Sequence, residues 1–442
     1  MGTQRTGVWW LSPPIVALLV VPLAVLPTAA IGDDAFRAQW RTPKFITFET
    51  CLLLLAGGLV LALGAAVVAS LRPVQPRTGR WPDLTPTEVA VLRRAGTVFF
   101  ALTVVGYAAF LVSGVRSGIT LDQVMATFGA GGVYDSPIKQ QLGTIPGVTT
   151  LTQVGIASVV VSSLLLAHSP QRRDWLRLAA VLGMALPRAF LLTERLAILE
   201  LVVPVIVVFA MHRSGTPRGR RAVSAVPVLF APFVLAIFAA FEYSRSWVFF
   251  RETSNATFAQ FAVERLIGYY ATSLNNGSLE IAYNRYPGRL PHDTLGAFWT
   301  APGVDEVRLY ERLTGHDNVA FYTDILVQHG TPEFNNSSGL AAPFVDFGVA
   351  GGLVYLLLCG IAVGLLYRAF RESRPLGLLV YPVIFIGVVE LPRYLAWSQG
   401  RVFPAFLAVA VLAWLLTRAA RRAPAPPARG PARTPEPIGG LP

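Results

Sequence analysis

The sequence predicts an all-α polytopic membrane protein with about ten transmembrane helices and one large extracytoplasmic loop. Three observations carry that expectation. Of 442 residues, 53% are hydrophobic and only 14% are charged, with a mean hydropathy of +0.53, a balance foreign to soluble domains. Apolar runs of roughly the 20 residues that cross a bilayer recur along the chain. Arginines then crowd into every second connection between those runs, so the formal charge of +12 reads as a cytoplasmic arginine excess and not as a polyanion-binding face.

The runs centre on residues 11 to 30, 47 to 70, 96 to 114, 146 to 167, 176 to 193, 196 to 211, 222 to 241, 341 to 366, 376 to 390 and 402 to 417. The first is followed by another long apolar run and lacks a convincing small-residue cleavage site, so it is expected to be a retained span and not a removed signal peptide. The fifth and sixth are separated only by Glu194 and Arg195, and Pro187 could break the fifth into a re-entrant element. Spans one to seven form an N-terminal membrane bundle, 1–241. An extracytoplasmic lid follows at 242–340, then spans eight to ten at 341–417, and a proline- and arginine-rich tail at 418–442 with a composition typical of disorder.

The connections between the runs set the orientation. Arg72, Arg77, Arg80, Arg93 and Arg94 lie between spans two and three, and Arg172, Arg173 and Arg177 between four and five. Arg213, Arg218, Arg220 and Arg221 lie between six and seven, Arg368, Arg371 and Arg374 between eight and nine, and Arg418, Arg421 and Arg422 after ten. The positive-inside rule converts this alternation into a cell-membrane protein with both termini cytoplasmic. Arg37, Arg41 and Lys44 in the first outer loop run against the bias, accompanied by Asp33 and Asp34. The second outer segment, 115–145, contains the glycine-rich stretch "FGAGGVYDSP", which could reach over a cavity.

Charge on the arginine-poor side needs a purpose or a partner. Arg188 and Arg195 stand seven residues apart in "PRAFLLTERLAILE" beside Glu194 and Glu200. They suit either an ion pair anchoring a tight helix hairpin or a cationic site for an anionic headgroup, since the guanidinium fork matches phosphate geometry. Glu242, Arg245, Arg251, Arg265, Glu390, Arg393 and Arg401 belong to the same side. The loop histidines and aspartates, His292, Asp293, His316, Asp317, Asp324 and His329, fit no metal-site spacing, and the two cysteines, Cys51 and Cys359, lie in apolar runs. No metal and no cofactor is expected. His329, close to span eight, could move a proton or hydrogen-bond a phosphate. In "TPEFNNSSGLAAPFVDFGVAGG", Asp346 either caps the start of span eight or faces a cavity, where it could orient a sugar hydroxyl or pair with an arginine. Asn335, Asn336 and Ser337 suit polyhydroxyl recognition or loop capping.

"ERLIGYYATSLNNG", followed at a distance by "EFNNSSGLAAPFVDFGVAGGLVYLLLCGIAVG", resembles the signature region of bacterial oligosaccharide repeat-unit polymerases, the Wzy-like family, over approximately 188–370. The resemblance implies an enzyme of glycosyltransferase type that joins glycans carried on undecaprenyl pyrophosphate at the outer face of the cytoplasmic membrane. It implies that Arg188, Arg195 and Arg265 bind pyrophosphate and that the block from Asn335 to Asp346 lines the glycan cavity, and it leaves the catalytic base open; by their own chemistry and position, His329 and Asp346 are the candidate catalytic groups. The implied partners are the lipid-linked glycan, membrane lipids, and a flippase or chain-length regulator, with no nucleic acid. Two other readings compete. One is a glycosyltransferase using a polyprenyl monophosphate sugar, with Asp33 and Asp34 as its acidic pair. The other is a transporter of an anionic lipid or polysaccharide, for which inverted repeats or mid-span charges would be expected.

Overall fold

Each of the ten apolar runs folds as a helix. A computed structural model describes residues 8–71, 81–128, 141–143, 145, 147–192, 194–247, 251, 256–284 and 290–422, together with side chains except those of 126–128, 195, 244, 245 and 420–422. The helices are Pro13–Ala30, Phe48–Ser70, Pro86–Arg116, Val154–His168, Arg172–Leu191, Arg195–Arg213, Val226–Glu242, Ala342–Arg371, Pro375–Val389 and Phe403–Arg422. Eight helical stretches are long and apolar enough to cross a membrane, and the described residues form no strand. This is an all-α polytopic membrane protein.

Two of the ten expected spans fall short of that standard. Pro375–Val389 has 15 residues, and Arg172–Leu191 spends its first two turns on Arg172, Arg173, Asp174 and Arg177. The latter nevertheless runs unbroken through Pro187, so the proline does not break the fifth run. The third helix starts ten residues before its apolar run, at a capping box in which Thr85 N–H donates to Glu88 Oε2 (2.8 Å) and Glu88 N–H donates to Thr85 Oγ1 (3.2 Å). The glycine-rich stretch expected as a flexible outer loop lies largely at 129–140, outside the described residues, as does most of the tail.

Packing explains why the small residues stand where they do. Phe48–Ser70 lies between Pro13–Ala30 and Ala342–Arg371. At its crossing with the latter an ideal Cβ on Gly64 would come within 2.5 Å of the Leu357 carbonyl oxygen, so only glycine permits this approach. Thr149–His168 sits in the middle of the bundle against Pro86–Arg116, Arg172–Leu191 and Arg195–Arg213, with 83% of its apolar window covered by protein. It meets helices and not lipid. Inside Ala342–Arg371, Gly348 adopts φ 67° and ψ −172°, which interrupts the helix two residues after Asp346.

Hydrogen bonds tie the arginine-rich connections together at one end of the bundle. Trp81 Nε1 donates to Phe370 O (2.8 Å), and the Trp81 carbonyl lies 2.9 Å from His212 Nδ1. The Pro82 carbonyl lies 3.1 Å from His168 Nδ1, and Asp83 N–H donates to Ser373 Oγ (3.2 Å). Trp10 Nε1 donates to Val223 O (2.8 Å) at the same end. The sequence alternation is therefore a spatial one.

At the other end, 242–340 contains an element that no apolar periodicity announced. Phe258–Tyr283 is a 26-residue helix whose buried stretch carries Thr272, Ser273, Asn275, Asn276, Ser278 and Glu280. Polar groups inside protein are stable only when hydrogen-bonded. Asn275 Oδ1 accepts from Phe45 N–H (2.6 Å) and Ile46 N–H (3.3 Å), and its Nδ2 donates to Pro43 O (2.9 Å). Asn276 Nδ2 donates to Phe334 O (2.5 Å) and Asn336 O (3.1 Å). Two adjacent asparagines thus fasten two separate loops, 43–46 and 334–336, to this helix.

Candidate functional site

The ends of four helices frame a cavity of about 670 Å³, opposite the arginine-rich connections. Leu196 and Leu199 come from the start of Arg195–Arg213, and Val234, Ile237 and Phe238 from the last turns of Val226–Glu242. Glu390, Arg393 and Tyr394 follow Pro375–Val389, and Gln399 and Arg401 precede Phe403–Arg422. Phe258–Tyr283 closes one side with Arg265, Tyr269 and Tyr270, and the 332–336 loop adds Glu333, Asn335 and Asn336. One wall is aliphatic and the rest is charged or amphipathic, the mixture found in sites for small polar ligands.

Each arginine around this cavity is already held. Arg265 Nη1 donates to Glu333 Oε1 (2.7 Å), its Nε faces Glu242 Oε2 at 3.5 Å, and its guanidinium lies 4.9 Å from the Phe334 ring centroid. Burial opposes the charged form of Arg265, but Glu242 and then Glu333 outweigh it and push its pKa above the ordinary arginine value. Arg393 Nη1 donates to Glu390 Oε2 (3.4 Å) while its guanidinium sits 5.2 Å from the Tyr269 ring and 5.7 Å from that of Tyr394. For Arg393 too, burial is overcome by the adjacent Glu390. Arg401 Nε faces Glu200 Oε1 at 3.3 Å. Glu390 Oε1 accepts from Tyr270 O–H (2.9 Å), and burial followed by the Glu390 charge drives the phenol pKa well up, keeping Tyr270 a donor.

No family model, curated protein or solved structure matches the chain. The chemistry of the cavity rests on its own residues. A guanidinium has five donors, and one carboxylate uses one or two of them. Among the described residues, the buried Nε–H groups of Arg188 and Arg393 have no hydrogen-bond partner. Carboxylate pairing therefore orients the cations at the rim without exhausting them.

Of the residues singled out from sequence, Arg265, Asn335 and Asn336 meet in the cavity. The backbone carbonyls of the two asparagines are pinned, Asn335 O by Tyr322 O–H (3.2 Å) and Asn336 O by Asn276. Arg188 stands behind the lining, its Nη2 donating to Glu194 Oε2 (2.9 Å), and Glu194 is the residue at the cavity. Arg195 opens its helix, and its side chain lies outside the described residues.

The two candidate catalytic groups, His329 and Asp346, do not line this cavity. His329 ends the Asn318–His329 helix and stacks on Tyr283, with ring centroids 4.4 Å apart. Among the described residues Asp346 pairs with no arginine, and it is not part of the cavity lining. Its Oδ1 accepts from the N–H groups of His292 (3.0 Å) and Asp293 (3.2 Å), and its Oδ2 from Thr294 N–H and Oγ1–H, both at 2.7 Å. Four donors occupy the carboxylate, so Asp346 ties the 292–294 turn to the mouth of its helix. The acidic pair of the competing reading is also remote. Asp33 is exposed and faces Lys44 at 3.6 Å, while Lys44 Nζ donates to the carbonyls of Ala29 (2.9 Å) and Ile31 (2.6 Å). Lys44 thereby serves as a cap for a helix end on the arginine-poor side.

Sequence reasoning passed over Arg393, Arg401, Glu390, Tyr269 and Tyr270 as site residues. Their signal was present as charge on the arginine-poor side and as paired tyrosines. Only the fold brings together three arginines from segments around 265, 393 and 401.

Proposed function

We propose that the protein polymerises polyprenyl-pyrophosphate-linked oligosaccharide repeat units at the outer face of the cytoplasmic membrane, with both termini on the cytoplasmic side. The observation that carries this reading is the convergence of Arg265, Arg393 and Arg401 with Asn335, Asn336, Tyr269 and Tyr270 around one cavity. Guanidinium groups suit a diphosphate, amides and tyrosines suit sugar hydroxyls and ring faces, and the aliphatic wall of Leu196, Leu199, Val234 and Ile237 suits the first isoprene units.

In this reading the acceptor sugar hydroxyl attacks the anomeric carbon of the donor. A new carbon–oxygen bond forms as the bond to the diphosphate oxygen breaks, and the electron pair leaves with the diphosphate, whose charge Arg265 and Arg393 stabilise. The acceptor proton passes to Glu390, the carboxylate that Tyr270 and Arg393 hold at the cavity. Energy comes from the lipid diphosphate itself, so no nucleotide is required.

The test is reconstitution of the purified protein in lipid with a synthetic undecaprenyl-pyrophosphate oligosaccharide, followed by mass analysis. A ladder growing by one repeat supports polymerisation. Transfer to a different acceptor would make the protein a ligase, and intact, translocated substrate would make it a transporter.

A further inference from the structure

Tyr394 lines the cavity yet is only 4% exposed, and the transfer reaction does not use it. Its place is set on several sides. Residues 390–394 turn back after Pro375–Val389, with Arg393 N–H (2.8 Å) and Tyr394 N–H (3.0 Å) both donating to the Glu390 carbonyl. Gly339 lies against the Tyr394 backbone, where an ideal Cβ would come within 2.6 Å of the Tyr394 carbonyl oxygen. The side chain packs among Leu196, Ile386 and Ala396, with Leu199 and Val203 beside them. A ring enclosed this closely has little freedom to turn.

Two guanidinium groups rest on this one ring. Arg393 lies 5.7 Å and Arg401 5.5 Å from its centroid, both within reach of cation–π attraction. Each also faces a carboxylate, Glu390 at 3.4 Å and Glu200 at 3.3 Å respectively. Those carboxylates belong to different elements, Glu390 to the end of Pro375–Val389 and Glu200 to Arg195–Arg213. The Tyr394 ring is a contact that the two cations share. With side chains 20% and 37% exposed, Arg393 and Arg401 reach the cavity while the ring behind them stays covered.

Two cations placed by one packed ring discriminate between anions. A diphosphate offers two phosphoryl groups, so each can meet the fork of one arginine; a monophosphate offers a single group and fills one fork. Loose arginine stems could fold onto either ligand, but ordering them on binding costs affinity that a prearranged pair retains. We propose that Tyr394 is a positioning residue that sets selectivity for a diphosphate over a monophosphate, its ring holding Arg393 and Arg401 ready for one phosphoryl group each. That the diphosphate is carried on a polyprenol rests on the function proposed above; the selectivity itself stands on the ring and its two cations. The role belongs to the ring. Among the described residues Tyr394 Oη has no hydrogen-bond partner, so phenylalanine should serve as well.

The experiment uses the full-length protein in zwitterionic nanodiscs. It compares binding of undecaprenyl diphosphate with undecaprenyl monophosphate, and of inorganic diphosphate with phosphate, alongside thermal unfolding. Wild type is expected to bind the diphosphate of each pair at least about tenfold more tightly, as one further charge-assisted hydrogen bond provides. Tyr394→Phe should keep that ratio. Tyr394→Leu keeps an apolar side chain beside Leu196 and Ile386 but offers no aromatic face, and should lower the ratio by about fivefold or more. Arg401→Lys keeps a cation beside Glu200 without the planar fork, and should lower it as far even if Tyr394→Leu does not fold. Where the leucine variant folds, the double variant should lose no more than either single one, because both changes remove the same contact. A wild type without the preference overturns the proposal, as does a ratio unchanged in Arg401→Lys or in folded Tyr394→Leu, a ratio lost in Tyr394→Phe, or losses that add in the double variant. A selective protein that yields no product ladder counts against polymerisation alone.

Discussion

Arg393→Lys separates the charge of the proposed diphosphate site from its shape. Arg393 is held between the Tyr269 and Tyr394 rings with Nη1 3.4 Å from Glu390. Lysine keeps a cation beside Glu390 but offers neither a planar fork nor a stacking face. Losing one hydrogen bond to a charged ligand costs about 1.5–3 kcal/mol, which is about 10- to 150-fold in affinity at about 1.4 kcal/mol per tenfold. Alanine is the wrong comparison, because it strands the buried Glu390 carboxylate, at about 3–5 kcal/mol of folding stability. The assay is binding of undecaprenyl pyrophosphate to protein in nanodiscs, with the alcohol of the same chain length as reference, alongside thermal unfolding. The lysine variant should unfold within a few degrees of wild type and bind the diphosphate at least tenfold more weakly, with binding of the alcohol unchanged. A change below threefold in a folded protein would refute the assignment of Arg393 to the diphosphate.

Other outcomes follow from geometry already given. Asp346→Asn replaces an acceptor facing N–H groups with an amide donor, so the 292–294 amides should exchange faster and stability should fall by about 2 kcal/mol, with diphosphate affinity within twofold of wild type. Trp81→Phe leaves the Phe370 carbonyl without its 2.8 Å donor and should lower stability by about 1–3 kcal/mol with no effect at the distant cavity. Gly64→Leu forces apart two helices that admit no Cβ, and should reduce the yield of folded protein far more than Gly32→Leu, where nothing lies within 4 Å of an added Cβ. Cysteines placed at 305 and 218 should label from outside and inside intact cells respectively, and the reverse pattern would invert the proposed orientation.

What could be read in advance was what the bilayer enforces. A span must be apolar for its whole length, so each of the ten runs marks a helix, eight of them lying in stretches long and apolar enough to cross a membrane, and the positive-inside rule accounts for the alternation of arginines. Boundaries shifted where a helix outlives its apolar stretch, as at Pro86, whose polar first turns carry Arg93 and Arg94. The Phe258–Tyr283 helix escaped detection because its buried face is amide, hydroxyl and carboxylate, satisfied by loops distant in sequence. Asp346 illustrates the same limit in the site. Its partners, His292 to Thr294, lie 52 to 54 residues earlier, and no local pattern ties a helix-mouth aspartate to a turn that far away. Arg265, Asn335 and Asn336 were found because polar residues gathered next to a span are costly unless used. Glu390 and Arg393 looked like ordinary interfacial charge until the fold turned them inward.

The pairing of every cavity arginine with a glutamate changes what arrival of a charged lipid must do. Among the described lining side chains, Arg265 answers Glu242 and Glu333, Arg393 answers Glu390 and Arg401 answers Glu200. Among the described lining residues the cavity is therefore close to electroneutral, Arg265, Arg393 and Arg401 standing against Glu194, Glu333 and Glu390. A diphosphate entering this setting does not neutralise a positive patch; it adds anionic charge to a balanced one. The guanidinium donors that the carboxylates leave over would meet the phosphate, and the added anionic charge would draw protons or metal cations from solution. Occupancy is then coupled to ion uptake, and its salt dependence should be much shallower than that of an unpaired arginine cluster.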